Sequence, residues 1–208
     1  MKFHVPLNSV AACAALLFLT SCSDAPAPTA STDAATEAVK PAEPGPAKQA
    51  FWKMYKPARE WSKDVQLLSM ASKEIPTLKG ASGKEAAWVA LFVSAAKHEA
   101  RTVTYSEVDS GDLHKGVAIE ATQPWGGPTR ESQPIQNQEF GTDSDAAYKT
   151  AAAKADPWLK THPNEKLTMF LAKSAKNPTP VWIISWGDKT NGFLALVNAT
   201  SGDLISPK

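Results

Sequence analysis

Cysteine is nearly absent and neither sign of charge dominates. Only two of the 208 residues are cysteine, Cys13 and Cys22. Both precede residue 23, so the rest of the chain holds no disulfide, no cysteine nucleophile and no thiolate metal site. Any fold there stands on its core alone, although exported domains commonly use disulfides. The 22 Lys and Arg balance 21 Asp and Glu, which leaves no basic footprint for nucleic acid and no strong attraction to anionic lipid. No nucleic-acid partner and no cofactor are expected. Histidine is scarce as well. His4, His98, His114 and His162 include no pair at i, i+4 and no His-x-His, so a zinc site would need long-range convergence. Gly-x-Ser-x-Gly and phosphate-binding glycine loops are missing. Long apolar runs are missing too. Val10 to Leu19 is ten uncharged residues, half of the roughly 20 that span a bilayer.

What is there starts at the N-terminus. Lys2 followed by this ten-residue run fits the charged and apolar regions of a secretory signal. The run ends in Leu19-Thr20-Ser21-Cys22, which resembles the bacterial lipobox. In that family the Cys thiol receives a diacylglyceryl group and a dedicated peptidase cuts just before it. The resemblance makes residues 1–21 a signal peptide, Leu19, Thr20 and Ser21 the peptidase recognition residues, and Cys22 the lipidated first residue of the mature chain. Two or more acyl chains give firm attachment, so the lipid bilayer is the first expected partner. Ser23, rather than Asp, follows Cys22. By the same resemblance that favours the outer membrane, facing the periplasm.

Residues 23–50 hold nine Ala and five Pro and no aromatic. Such a stretch buries too little to offset the entropy of ordering it, so 22–50 reads as lipidated Cys and tether, able to reach on the order of 30 Å.

Residues 51–208 form the body. A helix is expected from Pro57, a good first-turn residue, with Ala58, Trp61, Val65 and Leu68 on one face. A second is expected after Asp143 or Ser144, either of which can accept first-turn amide hydrogens. Tyr148, Ala151, Ala152, Ala155, Trp158 and Leu159 keep its helical spacing, Pro157 should kink or end it, and His162-Pro163-Asn164 stops it. Strand-like runs follow each helix: 87–94, 101–108 and 116–122 after the first, 166–173, 181–186 and 192–198 after the second.

The two halves resemble each other. "AWVALFVS" faces "VWIISWGD", and "VTYSEVDSGDL" faces "FLALVNATSGDL". Trp88 and Trp182 are 94 residues apart, Gly111 and Gly202 are 91, which reads as an internal duplication. The expected fold is therefore α+β, made of two similar units, each a helix packed on an antiparallel sheet of three or four strands. The first unit is 51–123, the connection 124–142, and the second 143–208. Residues 135–206, closing in "LVNATSGDL", are similar to the end of a PepSY domain, with Ser201 where Thr is commoner and Asn198 for the usual Asp. PepSY domains occur on exported proteins, where they bind or restrain peptidases or serve as envelope interaction modules.

Candidate side chains are few. Gly111 and Gly202 are expected to be structural turn residues. Asp112 and Asp203 beside them support turns more readily than a metal. Trp125, in the Gly- and Pro-rich segment 122–136, is a possible partner contact or a cover for a sheet face. The expected function is a non-catalytic, membrane-anchored envelope lipoprotein that binds a protein or peptide, with regulation of a peptidase as the form the PepSY resemblance implies. The alternatives are a periplasmic hydrolase using Asp143, Asp145 or His162, and a structural accessory of an envelope complex.

Overall fold

The computed structural model describes residues 41–206. Its elements run α1 (Ala47–Trp61), β1 (Gln66–Lys73), β2 (Ala87–Ser94), β3 (Glu99–Ser106), β4 (Gly116–Pro124), a 3-10 turn (Asn137–Glu139), α2 (Ser144–Thr161), β5 (Leu167–Ala172), β6 (Val181–Trp186) and β7 (Phe193–Asn198). All strand pairs are antiparallel, and they form a single seven-stranded sheet in the order β4-β3-β2-β1-β5-β6-β7. The fold is α+β. The two sheets expected from the sequence are one: β1 and β5 pair through Ser69–Ala172, Met70–Leu171 and Ala71–Phe170.

The first helix differs most from expectation. It starts at Ala47, ten residues before Pro57, which lies inside it. It thus takes in residues 47–50, whose composition reads as tether. Its buried residues are Ala47, Ala50, Phe51, Met54 and Ala58, a stripe at helical spacing. Val65 and Leu68 do not continue that face. The helix ends at Trp61, and Leu68 belongs to β1. Gln, Leu, Met, Ala and Lys are all good helix formers, so "QLLSMASK" carries little strand signal. Its place between β2 and β5 decides the conformation. Pro157 likewise sits inside α2, which continues to Thr161.

Both helices cover one face of the sheet. The core beneath them holds Met70, Trp88, Phe92, Met169, Trp182 and Ile184, all at most 1% exposed. The opposite face is closed at one end, where Ile75, Ala86 and Ala87 cluster with Leu78, Val108 and Leu113. At its other end Trp125 lies on Leu68, Val93 and Ala100.

A carboxylate locks the α1–β1 turn to the β2–β3 hairpin. Asp64 Oδ1 accepts from Ser62 Oγ and Ser94 Oγ, each at 2.6 Å, and Oδ2 accepts from the Ala96 N–H at 2.8 Å. The Ser62 hydroxyl, then Ser94 and the Ala96 amide, hold this carboxyl well below the usual range. Asp64→Asn should cost about 1 kcal/mol in urea unfolding at pH 7. For a depressed carboxyl the stabilisation is present above about pH 4 and is lost as pH falls, so the gap between the two proteins should close in acid. An unchanged midpoint at pH 7 would show that these bonds add no net stability.

Candidate functional site

The residues offered for hydrolysis are spent on the scaffold. Asp143 caps α2, its Oδ1 accepting from the Ser144 N–H at 2.7 Å and from the Lys48 N–H at 2.9 Å. The Ala47 N–H donates to Ser144 Oγ at 2.8 Å. The N-termini of both helices therefore share one cap, which is why α1 can start behind Pro46 without a side-chain cap of its own. Burial pushes the Asp143 carboxyl up, and the Lys48 and Ser144 amides pull it back. Two positive helix ends on one carboxylate have that effect. Asp145 accepts from the Ala146 N–H. His162 lies at the far end of α2, an 18-residue helix that rises about 27 Å, so it does not converge with Asp143 or Asp145. Its ring stacks on Trp158 at 4.3 Å, and Nδ1 lies 2.8 Å from Thr161 Oγ1.

Beside this shared cap sit the two matching tryptophans. Trp88 and Trp182 meet edge to face, centroids 6.2 Å apart. Trp88 Nε1–H donates to the Gly45 carbonyl and Trp182 Nε1–H to the Thr142 carbonyl, both at 3.0 Å. Each carbonyl lies two residues before the first residue of its helix.

Gly111 and Gly202 adopt φ of 57° and 84°, the left-handed region that suits glycine. Asp203 accepts from Ser201 Oγ at 2.7 Å inside its turn. Among the described residues no group of three or more His, Cys, Asp or Glu could hold a metal ion. Trp125, offered as a partner contact, is half-buried against Leu91 and the Leu68–Val93–Ala100 cluster. Its backbone N–H donates to the His98 carbonyl at 2.8 Å, which prolongs the β3–β4 ladder, and its indole packs on the sheet. Leu19, Thr20, Ser21 and Cys22 lie outside the described residues. Among those described, no helix is long and apolar enough to cross a membrane.

The strand over 116–122 was expected; what the sequence did not show is that, as β4, it lies at the edge of the sheet. Every residue of Val117–Ala121 is exposed, and the two β-branched side chains stand out, Val117 at 39% and Ile119 at 47%. They pair with Tyr105 and Val103, so they stand on the helix-bearing face, where α1 covers β2 and β3. The His98–Trp125 bond sets the phase of the ladder. Alternation along an antiparallel pair, carried along β3 to the Val103–Ile119 and Tyr105–Val117 pairs, then turns the backbone N–H and C=O of Val117 and Ile119 outward.

On the helix-bearing face next to β4 stand two cation–aromatic pairs. Lys53 lies over the Tyr105 ring at 4.1 Å, and Arg101 over the Trp61 ring at 5.0 Å. Arg101 Nε is buried without a hydrogen-bond partner. Burial pushes the Tyr105 hydroxyl up, and Glu107 adds to this. The only sequence signal for the edge was the Val-x-Ile alternation in "GVAIEAT". Nothing in it distinguishes an edge strand from a central one.

No family profile matches the chain, and no curated protein does. A solved structure of a candidate lipoprotein from Clostridium difficile 630 aligns over 76% of this chain and 90% of its own, with 8% identity and a TM-score of 0.44.

Proposed function

We propose that this is a non-catalytic lipoprotein, anchored in the bacterial envelope through Cys22, whose body binds an extended segment of a partner protein along β4. One observation carries the binding reading: among the described residues β4 is an edge strand with no outer neighbour, with Val117 and Ile119 exposed and their backbone groups turned outward. A segment added there gains main-chain hydrogen bonds for affinity, and every second side chain of it would face Val117, Ile119 and the Lys53–Tyr105 and Arg101–Trp61 pairs for specificity. A bare edge invites unwanted pairing, which is a reason for a soluble body to keep it only where it is used. The anchor rests on the Leu19-Thr20-Ser21-Cys22 sequence and the outer-membrane placement on Ser23. The resemblance of residues 135–206 to a PepSY domain makes a peptidase the first partner to seek. Duplication of an αβββ unit is supported by the shared order of α1-β1-β2-β3 and α2-β5-β6-β7 and by the matched tryptophan bonds.

A photo-crosslinking residue placed at Ile119 in the full-length chain, irradiated in intact cells, should give one discrete adduct. The same residue at Lys97, an exposed hairpin position, should give none. Val117→Pro removes an outward N–H at a place where an edge strand tolerates proline, and should abolish the adduct while the protein stays folded. Equal adducts at both positions, or none at Ile119, would rule out β4 as the contact. Cys22→Ser should block both lipid attachment and the cut before residue 22, leaving an uncut precursor that takes up no labelled fatty acid. Normal processing and labelling of that variant would refute the lipid anchor.

A further inference from the structure

The described residues hold one buried acid without a counter-charge. Glu85 is 7% exposed. Its backbone pairs with Gly45 through two hydrogen bonds, but no hydrogen bond or ion pair reaches its carboxylate. That carboxylate opens into a cleft of about 260 Å³ between the loop after β1 and the loop before β5, lined by Glu74, Lys79, Gly80, Glu165 and Lys166, with Leu167 as its apolar wall. Gly80 is what lets the acid reach the cleft. A Cβ there would stand 2.1 Å from Glu85 Oε2, a distance no side chain can occupy.

The charges around the cleft are unevenly spent. Lys166 Nζ is bound to Glu74 Oε2 at 2.9 Å, and Lys79 also acts on Glu74. Three acidic residues and two lysines line the cleft, which leaves one acid in excess. The uncommitted acid inside is Glu85; Glu165 stands at the exposed rim with its Oε2 beside Gly187 of the β6–β7 turn. An uncompensated buried carboxylate is costly, and a charge of opposite sign reverses that cost. The raised position of Glu85, about 7, agrees with a site that lacks its cation.

We propose that this cleft binds a primary ammonium group, held by the Glu85 carboxylate inside and attracted by the Glu165 charge at the rim, with its methylene chain against Leu167. A cavity of about 260 Å³ holds a short alkyl amine and is far larger than a bare ion. One inner carboxylate, with no metal-holding group of three acids or histidines among the described residues to join it, suits an ammonium better than the six to eight oxygens that calcium takes. The proposal does not depend on the β4 reading, because the cleft and β4 use no residue in common. The ammonium can come from a free polyamine or from a lysine side chain of another protein.

Two probes separate these sources: 1,5-diaminopentane, and Nα-acetyl-lysine N-methylamide. Each is titrated at pH 8 into the full folded body, with the Glu85 side-chain carboxyl carbon followed by NMR. A saturable shift of Glu85 is expected with at least one probe. Glu85→Gln should weaken binding at least tenfold, and Glu165→Gln, an exposed position that leaves the fold intact, about threefold. Saturation by both probes identifies a lysine side chain as a fitting ligand. Saturation by the diamine alone identifies a free polyamine. Absence of saturation with either, equal binding by the Glu85→Gln protein, or displacement of the amine by equimolar calcium would each overturn the proposal.

Discussion

Trp182→Ala is expected to destabilise the folded body by about 3–5 kcal/mol, the usual cost of emptying a large core site. Trp182 is fully buried, and its ring meets Trp88 at 6.2 Å and Phe140 at 5.8 Å, both edge to face. The alanine leaves a cavity under the sheet's centre and also removes the donor to the Thr142 carbonyl. That carbonyl precedes Asp143, the cap shared by both helices, so the loss spreads to the start of α2. Trp182→Phe keeps much of the ring contact but not the donor, and should cost about 1–2 kcal/mol for the orphaned carbonyl and lost volume. Trp88→Ala should resemble Trp182→Ala, because Trp88 is 1% exposed and donates to Gly45 in the same way. The double variant should show a coupling of about 0.5–1.5 kcal/mol between the rings. Urea unfolding followed by far-UV circular dichroism measures all four proteins. A loss below 1 kcal/mol for Trp182→Ala would mean that the site collapses around the cavity.

The two tryptophans also show what the sequence carried. "AWVALFVS" and "VWIISW" are strands because β-branched and aromatic residues fill alternate positions, and both stand in the sheet as their patterns implied. The Asp143-Ser144 start of α2 was legible for a similar reason, since its cap is local. The start of α1 was not. Its first amide hydrogens are taken by Ser144 and Asp143, residues 97 and 95 positions away, while the residues before it, "PAEPGP", look like tether. The buried Ala47 and Ala50 count as linker composition until a partner surface is known to lie against them. β1 was hidden by its helix-forming residues, and the edge position of β4 by its ordinary alternation. Glu85 was hidden because desolvation is a property of the loops around it. In "GKEAAW" it reads as a surface acid.

That buried acid gives the second large effect, a change in how stability follows pH. Burial, with a smaller contribution from Glu74, raises the Glu85 carboxyl from 4.5 to about 7. A raised acid keeps its proton longer in the folded state, so between pH 4.5 and 7 the folded chain binds more protons than the unfolded one. Stability then falls as pH rises through that window and levels off above it. The full shift would amount to about 3 kcal/mol. Water in the open cleft screens the charge, so about 2 kcal/mol is the expected loss. The groups that face the cleft are Glu74, Lys79, Glu165 and Lys166. The Lys166 and Lys79 charges hold Glu74 below its usual value, and its stabilisation is lost as pH falls below about 4.5. The two acids therefore act in adjoining windows and can be told apart. Glu85→Gln keeps the shape of the side chain without the charge. It should be the more stable protein at pH 8 by about 2 kcal/mol and should lose the slope between pH 4.5 and 7, while the acid limb remains. Urea unfolding at half-unit steps from pH 4 to 8 resolves both. A wild-type profile that is flat from pH 5 to 8 would mean that the carboxylate is already solvated or already paired, and that the cleft carries no unmet charge.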